Sequence, residues 1–373
     1  MSSTPQKPTT HRIVSLALRT VPVWAGAGAE NDILLGLAAR ITRNLPGIPF
    51  PGWSSAEDRK KVYETLLPEL RSIRMLGVNE FTEMSELNLN ERRVLLDRKF
   101  ISPCMAARQD GCYISSNKGF DRVVLINEEE HLVVRCYANG TDPEGSFRKF
   151  NSLAKALDRA FSFAVDPKKG YLCSAPSEVG DGMQLHFFLH LPGLNLAGMI
   201  DQVARGAEKL LVNLSPLHTS EENTGNTFVL SVGPARYGTS HLMFDHALDV
   251  VQEIISREWE LRYKLLYTRT NELLDVIGRS YGLLRYAHRL SYGELLQNLS
   301  YLRLGAILEV IQPHAIPSNF HFCEILGDLL LELSPGSLAE CGTVNEEDQE
   351  RDRALTVVQT LHCTEAEFIS PII

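Results

Sequence analysis

An α+β fold followed by an all-helical C-terminal domain is what this sequence predicts, and three observations carry that prediction. Short segments rich in Val, Phe and Leu gather in the middle of the chain, at DRVVLI (121–126), HLVVRCYA (131–138), LHFFLHL (185–191) and TFVLSV (227–232). Gly, Asn, Asp or Pro flank most of them, the mark of strands in one sheet. Segments with apolar residues at helical spacing separate the second strand from the third and the third from the fourth. After about residue 240 the strand-like segments stop and helical periodicity continues almost to the end.

At 373 residues the chain exceeds what one core usually supports, so two folded domains are expected. Hydrophobic residues at 44% and charged residues at 22% are ordinary for a soluble globular protein. The net charge of -9 argues against a general nucleic-acid binder, because phosphate neutralisation needs a basic surface. The seven cysteines (Cys104, Cys112, Cys136, Cys173, Cys323, Cys341, Cys363) stand singly with no CxxC pair. That fits neither a disulfide framework nor a zinc site, and a reducing cytoplasm suits it best.

From the start of the chain, MSSTPQKPTTH has almost no apolar content and reads as a disordered leader, taken with the residues up to 29 as a partly disordered segment. The apolar stretch 13–29 is interrupted by Arg19 and contains Pro22. It makes a poor export signal and is too short to span a bilayer, so no membrane association is expected. DRKKVYETLLPELRSIR (58–74) and ERRVLLDRKF (91–100) read as surface helices. NSLAKALDRAFSFAV (151–165) and GLNLAGMIDQVARGAEKLL (193–211) read as one helix each, and HALDVVQEIISREWELRYKLLY (246–267) as the longest. Ser291 with Glu294, and Thr364 with Glu367, have capping-box spacing and predict helix starts. The polar run GTVNEEDQERD (342–352) reads as a linker between two helices, and no internal repeat is present. The division is a leader at 1–29, an α+β domain at 30–258 and a helical domain at 259–373.

On residue type alone, Glu128, Glu129 and Glu130 between two apolar strands read as a solvated turn. His186 and His190 share one face of a strand but have no third ligand in view, so no metal site is expected. Trp24-Ala-Gly-Ala-Gly-Ala lacks the third glycine of a dinucleotide fingerprint.

The segment KGYLCSAPSEVGDGMQ (169–184), followed by LHFFLHLP, resembles the signature GYLTSCPTNVGTGLR of the guanidino (phosphagen) kinase family, with its following strand ending HLP. NLPGIPFPG near residue 45, ERRVLLDRKFISP from Glu91 and NEEEHL from Asn127 match the same family in the same order. RSYGLLRYA from Arg279 and LSYLRLG from Leu299 are similar to the helical domain peculiar to bacterial protein arginine kinases. The resemblance spans roughly residues 30 to 360. It implies a guanidino-kinase (glutamine-synthetase-like) antiparallel sheet flanked by helices, and a helical domain used for dimerisation and for reading phosphoarginine. It also implies an ATP:guanido phosphotransferase dependent on ATP and Mg²⁺.

Phosphoryl transfer needs positive charge on the phosphate oxygens, and the family supplies it with arginines while carboxylates orient the acceptor guanidinium. The family motif NEEDHLR falls on 127–133, so its catalytic carboxylate is Glu129 and its phosphate-binding arginine is Val133. The family's reactive cysteine falls on Ala175 and the arginine after its glycine pair on Gln184; Cys173 could share the face of position 175. RGLYGE falls on 214–219, which replaces another arginine by Leu214 and the second carboxylate by Thr219, with Glu221 and Glu222 nearby. Arg40 matches one of two phosphate-contacting arginines, and Lys99 replaces a nucleotide-contacting histidine. The phosphoarginine-reading RDxxRA motif falls on 349–354, placing Glu350 toward the guanidinium and Arg353 toward the phosphate.

Loss at charged site positions beside intact ISP, GYL and HLP matches leads to a pseudokinase that acts through protein or phosphoarginine binding, without need of a cofactor. Its expected partners are an arginine-phosphorylated client, a second copy, or an active kinase. The alternatives are an active protein arginine kinase whose phosphate site is rebuilt on Arg40, Lys99, Arg135 or Arg236, and a structural dimer partner.

Overall fold

The computed structural model describes residues 10–26, 32–108, 110–218, 225–233 and 239–369. Its strands are β1 (Leu34–Arg43), β2 (Thr82–Glu83), β3 (Tyr113–Ser116), β4 (Arg122–Ile126), β5 (Leu132–Asn139), β6 (Val165–Asp166), β7 (Gly170–Tyr171), β8 (Met183–His190), β9 (Asn213–Pro216), β10 (Thr227–Val232), β11 (Ile311–Pro313) and β12 (Ala366–Phe368). Eight of these form one sheet in the order β2-β3-β4-β5-β1-β8-β10-β9, and every ladder in it is antiparallel. The four strands expected from apolar runs are β4, β5, β8 and β10. The central strand, β1, carries Arg40 and Arg43 yet is buried at every position, because side chains cover both sheet faces there.

The helices are α1 (Arg12–Leu18), α2 (Ala56–Ser72), α3 (Leu89–Asp97), α4 (Pro103–Ala107), α5 (Pro143–Ala160), α6 (Pro192–Leu196), α7 (Ile200–Lys209), α8 (Ser240–Thr268), α9 (Thr270–Tyr286), α10 (Tyr292–Ile307), α11 (Asn319–Glu332), α12 (Pro335–Glu340) and α13 (Glu346–Cys363). Residues of α2, α5 and α8 cover one sheet face, packing on Leu37, Ala39 and Ile41 of β1. The other face packs α1 and α3 against Leu35, Val133, Tyr137 and Phe188. A third core joins α8 through α13. Among the described residues no helix is long and apolar enough to cross a membrane.

Several boundaries differ from the sequence reading, each for a local reason. α5 begins at Pro143 rather than Asn151, since the Asp142 side chain caps it by accepting from the Gly145 N–H at 2.8 Å and Pro suits the first turn. The segment 193–211 is two helices, parted at Gly198 with φ +67°. The capping box at Ser291 is present, whereas Thr364 closes α13 and Glu367 lies in β12. The C-terminal region therefore carries a two-stranded ribbon, β11 with β12, beside its helices. The polar run at 342–352 is mostly the first turns of α13, not a linker. The division drawn between 258 and 259 falls inside α8.

Within the segment read as a leader, residues 1–9 and 27–29 lie outside the described residues, but α1 buries Ile13, Val14 and Ala17. Trp24 is buried, and its indole N–H donates to the Arg98 carbonyl at 3.4 Å. A Cβ added at Gly327 of α11 would come within 2.0 Å of the Ala25 carbonyl oxygen. Gly327→Ala is therefore expected to cost about 1–3 kcal/mol by overpacking, read as a lower urea midpoint. An unchanged midpoint would mean that the 22–26 turn is not held against α11.

Candidate active site

Strand register assembles the site. Arg40 of β1 stands opposite Arg135 of β5 on one side and Gln184 of β8 on the other, in one row across the centre of the sheet. In the next row Ala38 lies between Tyr137 and His186. Together with Phe188, Val229 and Leu217 these residues line a cleft of about 320 Å³, apolar at one end and charged at the other.

Two arginines directly opposite each other repel unless acids intervene, and carboxylates meet each of them. Arg40 donates from Nη1 to Glu178 Oε2 at 2.7 Å and from Nη2 to Glu129 Oε2 at 3.1 Å, with its side chain only 9% exposed. Arg135 donates from Nη2 to Glu128 Oε1 at 3.0 Å and from Nη1 to the Lys99 carbonyl at 3.2 Å. Burial works to lower the Arg135 guanidinium, but Glu128 and Tyr137 outweigh it and leave it above its usual value. Lys99 has φ +60° and no ion-pair partner among the described residues, and burial lowers its ammonium. His186 is pushed down to about 4 by burial first and then by Arg135 and Arg40, so it is neutral at physiological pH. Its Nδ1 lies 3.0 Å from Ser231 Oγ.

The acidic run is not a solvated turn. Glu128 and Glu130 are fully buried. Glu128 Oε1 also accepts from the Ser102 N–H at 3.2 Å. Glu130 accepts from Asn44 Nδ2 at 2.6 Å, from the Ser174 N–H at 2.8 Å and from Ser174 Oγ at 2.7 Å. Burial raises its carboxyl above the usual range despite those bonds. His131 Nδ1 accepts from the Leu45 N–H at 3.0 Å and ties the loop to the end of β1. With its neighbours bolted inward, only Glu129, whose side chain is 49% exposed, reaches the cleft.

The replaced family positions divide by face. Gln184 lines the cleft, and Val133 lies on the same sheet face two residues along from Arg135, buried in the second core. Leu214 faces the opposite way, into the main core against Leu230. On the cleft side its neighbour Ser215, opposite Val229, is also neutral. Ala175 precedes a short 3₁₀ turn (Pro176–Glu178). Cys173 is buried 3.6 Å from Thr42 Oγ, and burial pushes its thiol up to about 11, which leaves it protonated. Thr219, Glu221, Glu222 and Arg236 lie outside the described residues.

Glu350 and Arg353 do not converge on an open pocket. Arg353 is buried, donating from Nε to the Leu333 carbonyl at 3.0 Å and from Nη2 to Gln349 Oε1 at 3.0 Å. Glu350 instead accepts from Arg289 Nη2 at 2.8 Å. They are three residues apart on α13, yet one points into the helical core and the other toward its rim.

Two cleft residues were missed as site residues by sequence reading, His186 and Glu178. The signal for Glu178 was available, because it stands where the family signature has Asn in TNVG and replaces a neutral residue by a charged one.

The comparisons agree with this architecture. Residues 61–261 match the family model for the ATP:guanido phosphotransferase C-terminal catalytic domain, and residues 270–370 match that for the protein-arginine kinase McsB C-terminal domain. A protein-arginine kinase of Pelotomaculum thermopropionicum is 28% identical over 85% of this chain and 88% of its own length. One of Bacillus cereus is 29% identical over 91% of this chain and 95% of its own. Among solved structures, a lombricine kinase superposes with a TM-score of 0.54 at 18% identity, covering 69% of this chain and 73% of that one, which shows the shared fold. A substrate-free duplicated taurocyamine kinase from Schistosoma mansoni gives 0.51 at 18% identity, covering 68% of this chain and 35% of that one. The antiparallel sheet followed by the helical region is thus that of a known lineage, and the chain belongs to the ATP:guanido phosphotransferase family.

Proposed function

We propose that this chain is a pseudokinase of the protein-arginine-kinase branch, acting through a protein partner rather than through phosphoryl transfer. The observation that carries the reading is the Arg40 guanidinium gripped between Glu129 and Glu178. The one matched phosphate-contacting arginine is neutralised by that grip, and the surviving family carboxylate is occupied by an internal cation.

The residues present do not fit a nucleoside triphosphate with its Mg²⁺. Arg40 and Arg135 each have carboxylate partners, and of these cations Lys99 has none among the described residues. One arginine stabilising phosphoryl transfer contributes on the order of 10³ to 10⁵ in rate. With neutral residues at Val133, Gln184 and Leu214, ordinary turnover is lost even when strong non-additivity is allowed for.

Of the two binding modes implied by the family, a protein surface is favoured over phosphoarginine, since Arg353 is buried and Glu350 is paired with Arg289. The partner is a second copy, an active kinase or a client protein, in a cytoplasmic setting. Purified chain with ATP, Mg²⁺ and an arginine-rich protein is expected to form no phosphoarginine above background. The Bacillus cereus protein-arginine kinase, run in parallel, serves as the positive control. Phosphoarginine formed at a comparable rate would end the reading.

Lys99, which lines the cleft and has no ion-pair partner among the described residues, favours one second reading, a slow kinase with a rebuilt phosphate site. Thermal stabilisation by millimolar ATP, lost in Lys99→Ala, would support it over the first.

A further inference from the structure

Glu178 adds a negative charge to the cleft that the family signature does not have at this position, and the inference drawn from it rests on the pseudokinase reading above. We propose that Glu178 is an internal lock, holding Arg40 in an ion pair that excludes phosphate-type anions from the charged end of the cleft.

The position is built rather than incidental. Glu178 ends the 3₁₀ turn Pro176–Glu178, its N–H donates to the Ala175 carbonyl at 3.0 Å, and its own carbonyl accepts from Cys173 Sγ at 3.4 Å. The turn is anchored on the far side by the Tyr171–Gly180 bridge. Its side chain is 20% exposed and the Arg40 side chain 9%, so salt screens this contact little. Glu129, the other partner, is 49% exposed and 3.1 Å away, a pair of the weak, exchangeable kind.

Charge counting gives the consequence. With Glu178 present, the Arg40 guanidinium faces two carboxylates, and a phosphate oxygen approaching it meets net negative charge. Without Glu178, Arg40 keeps only the exposed Glu129 and lies in one row with Arg135, with Lys99 lining the same cleft. Arg135 keeps its buried partner Glu128, so the gain falls on Arg40, whose guanidinium can then bind a pyrophosphate or phosphate-ester anion bidentately with Lys99 lining the same cleft.

The test is calorimetric titration of the full chain with inorganic pyrophosphate, comparing the native protein with Glu178→Asn, Glu178→Gln and the double variant Glu178→Asn/Arg40→Ala. Glu178→Gln keeps the side-chain shape and guards against misfolding of the Asn variant. Both single variants are expected to bind pyrophosphate at least about tenfold more tightly than the native chain, and the added Arg40→Ala change is expected to remove the gain. Equal affinity in native and single-variant proteins, or a gain that survives loss of Arg40, would overturn the lock. Native turnover in the kinase assay would instead overturn the pseudokinase reading, so the two failures are distinguishable.

Discussion

Replacing Arg262 by alanine is expected to cost about 3–5 kcal/mol of stability, because it strips the shared cation from two buried carboxylates. Glu258 is 0% exposed and Asp32 7%, and both meet the Arg262 guanidinium, Glu258 Oε1 at 2.6 Å from Nε and Asp32 from Nη1. Arg262 also donates from Nη2 to the His190 carbonyl at 3.1 Å. Glu258 in turn accepts the Gly193 and Leu194 N–H groups, each at 2.8 Å, at the start of α6. One cluster therefore ties the residues entering β1, the end of β8, α6 and the long α8 to one another. Burial lowers the guanidinium, but Asp32 and Glu258 outweigh it and hold it above its usual value, so it stays charged at any working pH. Urea unfolding followed by circular dichroism should show the loss. Arg262→Lys, which keeps the charge and loses the fork, should fall between the two. A native-like midpoint for Arg262→Ala would mean that water reaches the carboxylates.

Stability is also expected to fall steeply as pH drops from about 6.5 toward 4, where histidines titrate in the unfolded chain. Burial holds His186 down to about 4 and His218 down to about 3. It pushes His190 well below its ordinary value too. The folded chain thus binds fewer protons than the unfolded chain throughout this window, so stability rises with pH there and is lost on acidification. Above the unfolded value neither state is protonated and the effect vanishes. At pH 5 His186 and His218 each cost about 2 kcal/mol, from roughly 1.4 kcal/mol per pH unit, and His190 acts in the same direction. Glu130 opposes this in part, because its raised carboxyl makes protonation in the fold easier at low pH. Unfolding midpoints at pH 7 and pH 5 should differ strongly in the native chain and less in His218→Gln. Equal midpoints at the two pH values would show that the histidines are not buried in the neutral form.

Much of the sheet was legible because β4, β5, β8 and β10 are runs of β-branched and aromatic residues with turn formers around them. The central strand was not recognised. LLGLAARITR has a glycine and two arginines, and their place inside depends on partners far along the chain: Glu178 for Arg40 and Asp158, 2.8 Å away, for Arg43. Thr364 and Glu367 failed in the same way, since capping-box spacing also occurs where a helix ends and a strand follows.

In the site, Glu129, Arg40 and Lys99 were read from resemblance, and all three line the cleft. What they do there was not readable. Arg40 was matched to phosphate contact and is held by acids; Arg353 was matched to a phosphoarginine reader and is buried in the helical core.

The sequence by itself determined the family and showed neutral residues at Val133 and Gln184, because motifs and residue types are local facts of the chain. Only the tertiary structure decided which charges are free. An ion pair between residues 138 positions apart, Arg40 and Glu178, forms because a 3₁₀ turn folds over the central strand, and no spacing rule along the chain encodes that approach.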